Sequence, residues 1–154
     1  MRLQCTPFMR LTMSKPFDAD LYDDDDSAKY DVLNWLESMG HTICVNPDQY
    51  GIDLLGVWGD EFTAWEVEVK HNWRGDVFPF DSVHYSVRKR KFVQPDVHTY
   101  FVTVNHERTM LLCIKGEDFM DGKLVQKSTI YTQDEWFVEV PIRKGIFMSL
   151  KKEG

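Results

Sequence analysis

The chain has 154 residues, 43% of them hydrophobic and 14% aromatic, and a formal net charge of −7 at pH 7. That length and composition predict one folded domain with a substantial core and exclude a disordered chain, and no apolar run approaches the roughly 18 residues a membrane helix needs. Net acidity is unfavourable for binding phosphates, so where the charges lie matters more than their sum.

Residues 1–26 read as an irregular acidic extension containing Pro7 and Pro16, and residues 27–154 as a single domain. The stretch from Met1 to Thr12 has no continuous apolar segment and predicts no signal peptide, with Met13 as an alternative start and a cytoplasmic location as the expectation. Cys5, Cys44 and Cys113 fit neither a disulfide framework nor a zinc pattern, and read as reduced thiols, with Cys44 and Cys113 on core strands. Residues 15–37 hold eight acids against Lys15 and Lys29, a local −6. Asp23 to Asp26 reads as a solvated run that favours the positive end of a following helix. That helix is predicted from about Ala28 to Met39, capped by Ser27 or Asp26 and stopped at Gly40. Its apolar stripe is Ala28, Val32, Trp35, Leu36 and Met39.

His41 to Val45 predicts a short strand, and Asn46 to Gly51 a loop. Tyr50 to Trp73 then reads as a β-hairpin: an apolar strand from Ile52 to Trp58, a Gly59-Asp60 turn, and alternation from Phe62 to Lys70. Side chains two apart in a strand share a face, so Glu66, Glu68 and Lys70 point one way and Trp65, Val67 and Val69 the other. Pairing brings Asp53, at the start of the first strand, beside Glu68. Converging carboxylates make a hard oxygen site suited to Mg²⁺ or Mn²⁺ rather than Zn²⁺. A lysine at its edge can hold an attacking water or stabilise phosphate charge, which suits phosphodiester hydrolysis. The plainer alternative is a hairpin whose outer face is simply solvated.

With a helix before it and a basic segment after it, this arrangement of Asp53, Glu68 and Lys70 resembles the PD-(D/E)XK nuclease superfamily over roughly residues 27–105. Within it, the closest likeness is to small Holliday-junction-resolvase-like and phage endonucleases. The resemblance implies a restriction-endonuclease-like α/β core with a mixed sheet flanked by helices. It also implies metal binding by Asp53, Glu68 and the backbone carbonyl of Val69, with Lys70 as the catalytic lysine. A glutamate on the preceding helix often joins the metal in such nucleases. Counting back from Gly40 puts Lys29 there, a departure for which Asp26 or Asp31 is the substitute, unless the site manages without. Glu66 lies roughly 6.6 Å along the strand from Glu68, as a second-metal ligand or a bystander.

After Lys70 the loop to Asp81 carries Trp73, Phe78 and Phe80, which either stack on bases or cover the core edge. Residues 70–91 hold six basic residues against Asp76 and Asp81, a local +4. Ser82 to Phe92 is predicted as a short helix. Arg74 and the run Arg88, Lys89, Arg90 and Lys91 are the candidate phosphate-backbone contacts. His98–Asn105 and Thr109–Lys115 predict a second hairpin. Gly116–Lys123 predicts a turn, and Val125–Tyr131 and Trp136–Ile142 further strands, with Pro141 at an edge or strand end.

The reading is a Mg²⁺- or Mn²⁺-dependent endonuclease acting on DNA, branched DNA included, as a homodimer if it resolves junctions, and encoded by a phage or mobile element. Two alternatives stay open. One is an inactive nuclease fold that binds nucleic acid or a partner, and the other is an interaction protein whose acidic tail mimics DNA.

Overall fold

A computed structural model of the chain describes residues 19–128 and 134–150, with side chains from Asp25 onward. Helix α1 spans Ala19–Ser38 and is followed by β1 (Thr42–Val45), β2 (Leu54–Trp58) and β3 (Glu61–Lys70). Next come β4 (Ser82–Ser86), a 3₁₀ helix (Val87–Phe92), β5 (Val97–Asn105) and β6 (Met110–Lys115). The chain closes with α2 (Gly116–Met120), β7 (Lys123–Lys127), β8 (Glu135–Pro141), a 3₁₀ turn (Ile142–Lys144) and β9 (Ile146–Ser149).

Six strands form one mixed sheet in the order β1-β2-β3-β5-β6-β9, in which β3 and β5 run parallel and every other pair antiparallel. A second, antiparallel sheet has the order β4-β8-β7. Alternation along the central strands sends residues to opposite faces of the large sheet. Trp65, Val67, Val102, Val104, Leu111 and Cys113 pack on one face against Ala28, Val32, Leu33 and Leu36 of α1. On the other face Phe101, Leu112 and Ile114 pack against Val83, Tyr85, Val138 and Val140 of the small sheet and Phe119 of α2. The strands that are apolar on both faces, β5 and β6, are those covered on both sides.

The mixed sheet and the Gly59-Asp60 hairpin stand as the sequence predicts, and Pro141 closes β8. The second face of the sheet is covered mainly by the small sheet, with one five-residue helix, rather than by a long helix.

Four local expectations are corrected. Helix α1 begins at Ala19, so Asp23 to Asp26 lie inside it and not in an irregular extension; residues 1–18 lie outside the described residues. Ser82–Phe92 is a strand and a 3₁₀ helix, because Val83 and Tyr85 alternate inward against Val138 and Val140. The predicted turn at Gly116–Lys123 holds α2, and the strand expected at Val125–Tyr131 is Lys123–Lys127, with residues 129–133 outside the described residues. Cys113 is a free, buried thiol, whereas Cys44 is disulfide-bonded rather than reduced, and Cys5 lies outside the described residues. Among the described residues no helix is long and apolar enough to cross a membrane, which leaves β-barrels unaddressed.

Candidate functional site

The site grows from an unpaired length of strand edge. Strand β2 begins at Leu54, opposite Trp65, so the part of β3 beyond Trp65 has no β2 partner along that edge. A backbone N–H left unpaired there costs free energy, and side-chain acceptors can meet it. Asp53 Oδ2 accepts from the Val67 N–H at 2.8 Å. The carboxylate of Asp25, from α1, accepts from the Val69 N–H. Asp53 is itself held at both ends: its N–H donates to Glu66 Oε1 at 3.2 Å and its carbonyl accepts from the Asn46 N–H at 2.9 Å. Two aspartates from different elements therefore serve as surrogate partners for one strand edge.

Glu66, Glu68 and Lys70 lie on the β3 face opposite Trp65 and Val67, as alternation predicts. Their register partners on β5 are Phe101, Thr103 and Asn105. Glu66 is well buried, and loss of water raises its carboxyl to about 8, helped by the nearby Asp53 carboxylate, with which it shares a hydrogen bond. Burial raises the Asp25 carboxyl too, and repulsion from Glu68 and Asp53 adds to it, against the lowering effect of the Val69 N–H. Although Asp25 is exposed as a residue, its acid group faces the other carboxylates. Burial is the larger cause of both shifts, and repulsion among the acids is the smaller one.

Two lysines offset part of this charge. Lys29 Nζ lies 3.4 Å from Asp26 Oδ1 and 3.9 Å from Asp53 Oδ1. Lys89, from the 3₁₀ helix, bridges Glu66 Oε2 and Glu68 Oε1 at 3.1 Å each, with its side chain only 19% exposed. Burial opposes the Lys89 charge, but the Glu68 and Glu66 carboxylates outweigh it and hold the ammonium above the ordinary lysine range.

Lys70 stands at the other end of the acid row. Partial burial lowers its ammonium, Glu68 partly restores it, and Lys127 lowers it further. It lies 5.0 Å over the Phe80 ring and opens onto a cavity of about 460 Å³ lined also by Asn72, Ser82, His84 and Lys127.

The other candidates separate from this cluster. Asp31 pairs with Arg108 at 3.5 Å, and Asp26 faces Lys29. Of the basic run, Arg88 bonds Glu135 at 2.9 Å while staying largely exposed, and Arg90 donates to the Met120 carbonyl. Lys91 is exposed near Phe92, Lys89 turns inward, and Arg74 is exposed. Trp73 and Phe78 belong to the core, which leaves Phe80 as the exposed ring of that loop.

Asp25 is the residue the sequence reading passed over. It sits one turn before Lys29, so i, i+4 spacing from the family's helix position would have reached it. The misplaced helix start hid it.

The donor chemistry fits a hard divalent cation, since Asp25, Asp53, Glu66 and Glu68 offer oxygens only. Among the described residues no three acids, histidines or cysteines stand close enough to hold an ion as they are, and the Lys89 ammonium lies between two of the carboxylates.

Sheet order, helix α1 and the hairpin carrying acids and lysine together define a restriction-endonuclease-like α/β fold. Among solved structures it resembles Archaeoglobus fulgidus Hjc, a Holliday junction resolvase from an archaeal hyperthermophile, with a TM-score of 0.53 and 12% identity over 80% of this chain and 90% of that one. At that identity the likeness is one of fold. No protein-family model and no curated protein sequence matches the chain.

Proposed function

We propose that the chain is a divalent-metal-dependent endodeoxyribonuclease that hydrolyses phosphodiester bonds through Asp53, Glu68 and Lys70, with Asp25 as the helix-borne acid. The observation that carries this reading is the meeting of Asp25 and Asp53 at the open edge of β3. There Asp53 stands against Glu66 rather than Glu68, Asp25 faces Glu68, and Lys70 at the end of the row faces a cavity. Asp25, Asp53 and Glu68, with the Val69 carbonyl, would hold Mg²⁺ or Mn²⁺. Such an ion polarises a phosphoryl oxygen and acidifies a bound water. Asp53 is kept in place by the Val67 N–H through one oxygen, which leaves the other, now 3.9 Å from Lys29 Nζ, for the ion once the acids draw together around it. Lys70, its charge weakened by partial burial, can donate to the phosphate or orient the attacking water. Arg88, Lys91 and Arg74 stay outside the acid cluster and are the residues available to hold the backbone.

The resolvase fold of the neighbour makes a four-way junction the first substrate to try, and a homodimer would bring two such sites to it. An Mn²⁺ cleavage panel over supercoiled, flap and four-way DNA tests the reading. Wild type nicks at least one substrate, and Asp53→Asn, Asp25→Asn and Lys70→Ala each reduce the rate by about 10²-fold or more while keeping the wild-type circular dichroism. Undiminished cleavage by Asp53→Asn or Lys70→Ala moves the active site elsewhere. A second reading, a nuclease fold that binds nucleic acid without cutting it, is favoured by the Lys89 bridge across Glu66 and Glu68. It predicts DNA binding with no divalent-dependent nicking.

A further inference from the structure

The 3₁₀ helix Val87–Phe92 is held in an unusual way. It runs for six residues, longer than the three or four such helices usually reach, and buries none of them. Its apolar anchors are Val87 and Phe92 at its two ends, both partly buried against the second core. Between those ends its attachments are polar: the Ser86 side chain accepts from the Arg88 N–H, Arg88 pairs with Glu135, and Arg90 donates to the Met120 carbonyl. Arg90 Nε is buried with no hydrogen-bond partner, so the seated position leaves one donor unmet. The remaining anchor is the Lys89 ammonium, 3.1 Å from a carboxylate oxygen of each of Glu66 and Glu68.

The Lys89 ammonium against Glu68 does electrostatically what a divalent ion bound to that carboxylate would do. Both neutralise the acids, and both cannot occupy the same gap, because two cations a few ångströms apart repel strongly where water is scarce. We propose that Lys89 is a tethered cation that occupies Glu68, with Glu66 beside it, in place of a divalent ion and leaves when the ion arrives. Metal loading and release of the 3₁₀ helix are then one equilibrium. The inference rests on the metal site described under Proposed function and makes Lys89 a positioning residue that acts on that site. A ligand shifts such an equilibrium only by its differential affinity for the two states, and here the difference is the presence of the ammonium. Once withdrawn, Lys89 joins Arg88 and Lys91 at the surface, so an ion in the site would enlarge the basic face available to a phosphate backbone.

The test uses the full chain and Mn²⁺ alone, without nucleic acid. Calorimetry gives the Mn²⁺ affinity, and amide hydrogen exchange reports residues 87–92 with and without the ion. In the wild type, Mn²⁺ speeds exchange across that segment. Lys89→Met binds Mn²⁺ about tenfold to a hundredfold more tightly, the range expected when one or two charged hydrogen bonds no longer compete. In that variant the segment exchanges fast with or without the ion. Lys89→Arg, which keeps the charge, stays within a few-fold of wild type. Should Lys89→Met fold poorly, Lys89→Gln serves in its place, with circular dichroism as the control. Equal or weaker Mn²⁺ binding by the neutral variants overturns the proposal, as does wild-type exchange at 87–92 that ignores Mn²⁺. Failure of the wild type, the neutral variants and Asp53→Asn alike to bind Mn²⁺ removes the metal site itself, and the proposal with it.

Discussion

Glu66 shows how one side chain can set the chemistry around it. Its place in the β3 alternation puts it on the polar face, but the small sheet and the 3₁₀ helix close over that face, so the carboxyl loses water and rises to about 8. An unfolded glutamate is ionised above roughly pH 4.3. Between there and pH 8 the folded state binds the extra proton, so stability falls as pH rises through that window and levels off above it. Asp25, also raised, slopes in the same direction over its own range. Urea midpoints measured from pH 5 to pH 8 are expected to decline in the wild type, by at most about 1.4 kcal/mol per pH unit from this one group, and to flatten in Glu66→Gln. A wild-type profile that rises across the window would show that Glu66 is ionised in the fold.

Among elements, the β5–β6 hairpin has a role beyond pairing. Asn105 is fully buried at its turn, where its Oδ1 accepts from the Thr109 and Met110 N–H groups at 2.8 and 3.0 Å. Its Nδ2 donates to the Gly75 carbonyl at 3.0 Å and so ties the hairpin to the loop that follows Lys70. Asn105 is also the register partner of Lys70 on the neighbouring strand. Asn105→Ala removes the partner of two half-buried N–H groups and of the Gly75 carbonyl, with an expected loss of about 1–3 kcal/mol in urea unfolding. Since the same change removes one of the ties of the Gly75 loop, leaving those from Glu107 and His106, cleavage is expected to fall with it. Stability within about 0.5 kcal/mol of wild type would mean that water replaces the amide.

At the scale of the whole molecule, one sheet carries two cores, and Phe101 marks the second. Its ring lies 4.3 Å from that of Phe119 and 5.5 Å from that of Tyr85, between the large sheet and the covering layer. Phe101→Ala is expected to cost about 3–5 kcal/mol. Far-ultraviolet circular dichroism and tryptophan fluorescence should still report one shared transition, because Trp73 sits in the same core. Two separated transitions would instead make the small sheet an independent lid over the acid row.

Much of the site was legible in the residues. The period of two from Phe62 to Lys70, the Gly59-Asp60 turn and the apolar runs of β5 and β6 follow from local chemistry, so the hairpin and the shared face of Glu66, Glu68 and Lys70 could be read directly. Four aspartates disfavour a helix interior on propensity alone, which is why Asp25 was placed outside α1. Packing of Ala28, Val32, Leu33 and Leu36 on the sheet supports the helix further along and carries Asp25 to the edge of β3. The basic run was legible as charge but not as direction. Whether Lys89 faces water or Glu66 depends on the strand and 3₁₀ turn that Val83 and Tyr85 impose by burying against β8. The sequence by itself determined which residues alternate, turn and carry charge, since those follow from neighbours along the chain. Only the tertiary structure decided which charges meet, because burial and the unpaired edge of β3 exist only once distant segments are packed together.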